Sequence, residues 1–166
     1  MKTPRFVSAL FALGLVFGSP PPAADAAQDL EFQITETQVT ELVKVTCASL
    51  AKDAPGTIAA INRGDAPYKD AANPTLYVFV YDPEVRMVAH PRAELVGQSF
   101  QGKPDVKGKL FRDEIVERAM KDGTGWVFYL YQKPGGTGVF PKMTFFTRVV
   151  GGDGKPYVVC AGKYKS

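Results

Sequence analysis

Tyr129 and Tyr131 stand two apart in the run GTGWVFYLYQKP, and Lys142 follows directly on Pro141. In an extended strand side chains alternate between faces, so 125–132 places Val127, Tyr129 and Tyr131 on one side and Trp126, Phe128 and Leu130 on the other. A buried phenol requires a hydrogen-bond partner, so the tyrosine side suits a cavity holding a small polar ligand; ordinary half-buried sheet aromatics are the alternative. The Lys142 ammonium offers three donors and a point charge, which suit a carboxylate at roughly 1.5–3 kcal/mol per charge-assisted hydrogen bond. An exposed lysine at a strand edge is the competing reading. His90 precedes Pro91, which restricts its backbone to extended geometry; its ring can donate to a ligand oxygen or bond a nearby carbonyl. A catalytic role for His90 is not expected, because no Ser or Cys lies in a recognisable nucleophile motif.

Other motifs read as turns. Asp105-x-x-Gly108 lacks the further oxygen ligands of a calcium loop. Gly135-Gly136-Thr137-Gly138 follows a proline and precedes a strand, which is the wrong context for a phosphate cradle. One histidine and two cysteines are too few for a closed zinc site, a haem attachment or an iron-sulfur cluster, so neither metal nor cofactor is expected. The formal charge of +3 is small and scattered, so nucleic acid is not an expected partner.

These residues need elements to position them. Residues 29–52 contain no proline or glycine, and Val39, Leu42, Val43, Thr46, Cys47 and Leu50 recur at the spacing of one helical face. The spacing predicts one long helix, broken by Ala54-Pro55-Gly56, then a short helix over 57–63 stopped at Gly64. Residues 76–81 are continuously apolar and β-prone, as in a strand covered on both sides, and Asp82-Pro83-Glu84 turns the chain into a partner strand over 85–89. After an irregular stretch over 92–108, helical periodicity returns over 109–121 with Leu110, Phe111, Ile115 and Ala119 facing inward. Strands follow over 125–132, 142–150 and 156–164. This order predicts an α+β fold, a five-stranded antiparallel sheet with a long N-terminal helix packed on one face.

The blocks YVFVYDPEVRMVAHP (77–91), ELVGQSF (94–100), DVKGKLF (105–111), GTGWVFYLYQKP (123–134) and PKMTFFTRVV (141–150) occur in one order. In this they resemble the single Cache domains of type 2, extracytoplasmic PAS-like sensor modules. The resemblance covers roughly 30–164. It implies a small-molecule pocket on the sheet face away from the long helix, and it places the lysine of the PK pair near that pocket. Tyr129, Tyr131, Lys142, His90 and Tyr77 are therefore the expected ligand-binding residues, with a small organic acid as the expected ligand. Family members feed a kinase or chemoreceptor through a C-terminal transmembrane helix. This chain stops shortly after its last strand, so a free-standing domain acting through a membrane-anchored kinase or receptor partner is expected. The long first helix is a candidate homodimer surface.

Lys2 and Arg5 precede an apolar stretch over 6–17, a Gly-Ser-Pro-Pro-Pro break and Ala24-Asp25-Ala26. This is the pattern of a secretory signal removed before Ala27, leaving one domain over 27–166 in the periplasm or outside the cell. A retained anchor is the alternative, but such a stretch spans only about 18 Å of helix against a hydrocarbon core of roughly 30 Å. In an oxidising compartment Cys47 and Cys160 are expected to form a disulfide, with free buried thiols as the alternative. The bond would turn Val158, Cys160 and Gly162 toward the first helix and Tyr157, Val159 and Ala161 toward the pocket. Two other functions compete with sensing: a secreted hydrolase or redox enzyme pairing His90 with a cysteine, and an accessory interaction domain without a ligand.

Overall fold

The computed structural model describes residues 34–134 and 137–165. The expected signal segment 1–26, the start of the expected first helix and the Gly135-Gly136 turn lie outside the described residues.

Helix α1 (Glu36–Lys52) opens on a capping box: the Thr35 side chain accepts from the Gln38 amide, and the Gln38 side chain accepts from the Thr35 amide. Asp53 ends α1 and caps α2 (Ala54–Arg63), accepting from the Gly56 amide at 3.0 Å. The expected break at Ala54-Pro55-Gly56 is thus the first turn of α2. A proline there forfeits no bond, because the first amides of a helix have no partner within it. Gly64, at φ 73°, closes α2 in the left-handed conformation that glycine adopts without strain.

Five strands follow: β1 (Val78–Tyr81), β2 (Met87–Ala89), β3 (Thr124–Gln132), β4 (Val139–Val150) and β5 (Pro156–Tyr164), with α3 (Phe111–Asp122) between β2 and β3. They form one antiparallel sheet in the order β2-β1-β5-β4-β3. All four residues of β1 are buried, as its unbroken apolar run requires. The expected fold, with the N-terminal helix on one face, is the fold observed. The back core joins Val39, Val43 and Leu50 of α1 to Val78, Val80, Val159 and Ala161. The front core joins Phe111, Ile115 and Ala119 of α3 to Phe79, Tyr129, Phe146 and Cys160. Leu110, expected to face inward, is 46% exposed: it sits at the cap, before helical spacing begins, and Arg112 takes the inward place.

The disulfide expectation is corrected by the sheet register. Cys160 is paired with Phe79 on β1 and Phe146 on β4, so it shares their front face together with Val158. Tyr157, Val159 and Ala161 face the back, the reverse of the expected arrangement. Cys47 packs behind the sheet, both thiols are free, and a β-layer separates them. Burial pushes the Cys47 thiol up to about 11 and Cys160 well above its ordinary value, the nearby Cys47 adding to the rise and Lys142 opposing it. Protein denatured without reductant is expected to show two reactive thiols, and the native protein a far slower reaction. A null count on denaturation would restore the disulfide.

Strand β3 is a sheet edge whose outer polar groups are covered. Arg118 Nη1 donates to the Trp126 carbonyl at 2.9 Å and Lys109 Nζ to the Phe128 carbonyl at 2.6 Å. The Leu130 amide donates to Asp105 Oδ2 at 3.0 Å. Covered in this way, the edge offers little template for pairing with another strand. Asp105 Oδ1 also accepts from the Lys107 and Lys109 amides. Burial acts to raise the Asp105 carboxyl, but these three amides outweigh it and hold it below its usual range. Asp105 therefore ties the loop before α3 to the strand carrying Tyr129 and Tyr131. Asp105→Asn keeps one acceptor oxygen and cannot serve both sets of amides. It is expected to lose about 1–2 kcal/mol in urea denaturation, and Asp105→Ala more. Unchanged midpoints would show that the tie is not stabilising.

Candidate functional site

Lys142 lies on β4 between Tyr129 of β3 and Tyr164 of β5 in the sheet register. Strand alternation turns all three to the front, and Lys142 is only 2% exposed. Its ammonium donates to the Tyr77 hydroxyl at 3.2 Å. It also lies 4.7 Å from the ring centroid of Tyr77, 4.9 Å from Tyr164, 5.5 Å from Tyr131 and 5.8 Å from Phe79, a cage in which ring quadrupoles stabilise a cation. Room for its stem comes from Gly162, where an added Cβ would lie 3.1 Å from Lys142 Cε. The exposed-edge alternative for Lys142 is thereby excluded.

His90 is 3% exposed. Its backbone amide donates to Asn62 Oδ1 at 2.9 Å, which moors it to α2. Its Nδ1 accepts from the Arg92 amide at 2.8 Å, so in the neutral ring the proton resides on Nε2. Burial, reinforced by the charges of Arg92 and Lys142, pushes the imidazole down to about 3. Neutral His90 is a fixed donor. The Tyr77 phenol is pushed up to about 12 by burial, with the Arg92 charge opposing. It stays protonated, and since its oxygen accepts from Lys142 its own hydrogen is available to another acceptor. Tyr129 is otherwise engaged: its hydroxyl is 2.8 Å from Thr144 Oγ1 and its ring stacks on Phe111 with centroids 3.8 Å apart. The Tyr131 hydroxyl accepts from Arg92 Nη2 at 3.2 Å.

All five expected residues, Tyr77, His90, Tyr129, Tyr131 and Lys142, line one cavity, together with Tyr81 and Arg112. Tyr81 and Arg112 escaped the sequence reading. A signal for each was present: Tyr81 shares strand parity with Tyr77 and Phe79, and Arg112 falls three, four and seven residues before the inward Ile115, Val116 and Ala119. The cavity measures about 10 Å³, on the scale of one water. Outside it lies a groove of about 440 Å³ that shares Phe111, Arg112 and Tyr131 with the cavity wall. Among the described residues the cavity lining carries two cations, several phenols and a neutral imidazole, and no carboxylate. Such a surface complements a small anion.

A sheet with helices behind and a helix and loop in front, enclosing a polar chamber, is the architecture of a small-molecule sensor domain. The family model described as "Single Cache domain 2" matches residues 34–153, and the chain belongs to that family. Among solved structures it is similar to a periplasmic sensor domain of a chemotaxis protein, at 29% identity and a TM-score of 0.60, over 89% of this chain and 100% of that one. A structure titled for carboxylic acid recognition by a Cache chemosensory domain shares the fold at 18% identity and a TM-score of 0.58, over 89% of this chain and 100% of that one. So does a methyl-accepting chemotaxis protein from Vibrio parahaemolyticus, at 14% identity and a TM-score of 0.59, over 85% of this chain and 95% of that one. No curated protein matches. Among the described residues, no helix is long and apolar enough to cross a membrane.

Proposed function

We propose that this protein is an extracytoplasmic sensor domain that binds a small carboxylate in the front chamber and signals through a membrane-anchored partner. The observation that carries the reading is the buried Lys142 ammonium, caged by aromatic rings and set beside the donors of Tyr77 and His90. The relative whose title names carboxylic acid recognition supports the ligand class, and the periplasmic chemotaxis relative supports the compartment and the signalling role. In the bound state Lys142 would hold the carboxylate by charge, while the Tyr77 hydroxyl and His90 Nε2–H fix its orientation. The enzymatic alternative loses its nucleophile: Cys160 is buried and Cys47 half-buried, desolvation holds both thiols protonated, and the thiolate is the reactive form. We accordingly read the domain as a binder rather than a catalyst.

The test is calorimetry and thermal denaturation with acetate, propionate, lactate and pyruvate, alongside amino acids and urea. A ligand present at 100 times its dissociation constant should stabilise the wild type by about 2.7 kcal/mol. Lys142→Met retains the stem but not the charge, and should weaken carboxylate binding by about 10- to 100-fold, the equivalent of a charge-assisted hydrogen bond. No carboxylate binding by the wild type, or undiminished binding by the variant, would overturn the proposal.

A further inference from the structure

We infer that Arg112 is the gate of the chamber: ligands enter from the outer groove when its side chain swings aside, and its bulk limits their size. The inference deepens the carboxylate-site reading and rests on it. At about 10 Å³ the chamber cannot admit even acetate unless a wall moves, and the wall shared with the 440 Å³ groove consists of Phe111, Arg112 and Tyr131. Two of these are pinned. Phe111 is stacked on Tyr129 with the ring planes 8° apart, and the Tyr131 hydroxyl is held by Arg92. Arg112 has the longest and most flexible side chain of the three. Its guanidinium lies across the rings of Phe111 at 4.2 Å, Phe100 at 4.6 Å and Tyr131 at 5.6 Å, which closes the passage. One of its anchors is weak: Nη1 donates to the Lys103 carbonyl at 3.3 Å, in a loop whose residues 101–104 are exposed. Inside, its positive charge acts on the buried Tyr81 phenol, opposing the rise that burial imposes there.

The chemistry of this gate suits an anion. A carboxylate reaching the groove offers the guanidinium a bidentate charged partner in place of a neutral carbonyl, so the ligand itself favours the outward swing. Once the passage opens, the chamber floor presents Lys142. A short monocarboxylate can pass and let Arg112 return, whereas a longer chain would hold the gate open and lose its contacts with the three rings.

Access can be read without any ligand. Reductive methylation with formaldehyde and dimethylamine-borane, followed by peptide mass spectrometry, gives the rate at Lys142 relative to an exposed lysine such as Lys44. Arg112→Ala is expected to raise the relative rate at Lys142 by about tenfold, the equivalent of lowering a local opening free energy by about 1.4 kcal/mol. Arg112→Met should act in the same direction and decides the matter if the alanine variant does not fold. Arg118→Gln, on the same helix but outside the cavity wall, should leave the rate unchanged. Amide exchange along β5 monitors the fold in each variant. An unaltered Lys142 rate in both Arg112 variants, or an equal rise in Arg118→Gln, would overturn the gate. Calorimetry with straight-chain acids from acetate to hexanoate then tests size selection: Arg112→Ala should bind longer acids than the wild type does. If the wild type binds none of them, the carboxylate site fails, while the methylation rates still decide whether Arg112 closes the chamber.

Discussion

Gly162→Ala is expected to destabilise the protein by about 3 kcal/mol, because at this buried strand position the added methyl would overpack against backbone that cannot yield. An added Cβ would lie 2.6 Å from the Met143 carbonyl oxygen and 2.6 Å from Thr144 Oγ1. The first of these is backbone in the adjacent strand, paired through Thr144 opposite Gly162, so relief requires the strands themselves to part. The same methyl would press on the Lys142 stem, since Lys142 Cε is the third close atom. Loss of stability should therefore come with loss of carboxylate binding in whatever fraction folds. Urea denaturation followed by circular dichroism measures the first effect and calorimetry the second. A loss below about 1 kcal/mol, within the range of an ordinary substitution, would show that β4 and β5 can spread at this point.

The second large effect is a pH dependence carried by His90. Its folded-state imidazole is pushed from 6.5 down to about 3 by burial and by the Arg92 and Lys142 charges. Below pH 6.5 the unfolded chain takes up a proton at this residue that the folded chain refuses. The stability contribution of neutral His90 is thus fully present above pH 6.5 and is lost as pH falls toward about 3. The slope is about 1.4 kcal/mol per pH unit across that window. His90→Asn can retain an acceptor for the Arg92 amide but has no titrating ring. Between pH 7 and pH 5 the wild type is expected to lose about 2 kcal/mol more than the variant. Parallel denaturation profiles for the two proteins would show that His90 is not held neutral. Ligand binding should also survive mild acidification in the wild type, because the donor on Nε2 persists until the ring itself titrates.

Much of the fold could be read from local pattern. The apolar spacing that ends in Leu50, the unbroken run of β1 and the turn residues around 82–84 and 151–154 each favour one conformation over short distances. Among the described residues the strands and α-helices accordingly appear in the expected order. Errors came where two elements had to be matched. Strand alternation groups Val158 with Cys160, but it does not say which face the group occupies. That was settled when Cys160 fell into register with Phe79 and Phe146, which put the two cysteines on opposite sides of the sheet.

The candidate site divides along the same line. Sequence alone determined that Tyr129 and Tyr131 share a face and that His90 ends an extended segment. Family likeness then gathered Tyr77, His90, Tyr129, Tyr131 and Lys142 into one set. Only the tertiary structure decided that the Lys142 charge is buried inside an aromatic cage, that the Tyr129 hydroxyl is engaged by Thr144, and that Arg112 belongs to the wall. The reason is one of range. Periodicity and turn chemistry act over a few neighbouring residues, whereas the burial of a charge depends on what distant strands and helices lay over it. Lys142 meets Tyr77 across 65 residues of chain, and no local pattern carries that distance.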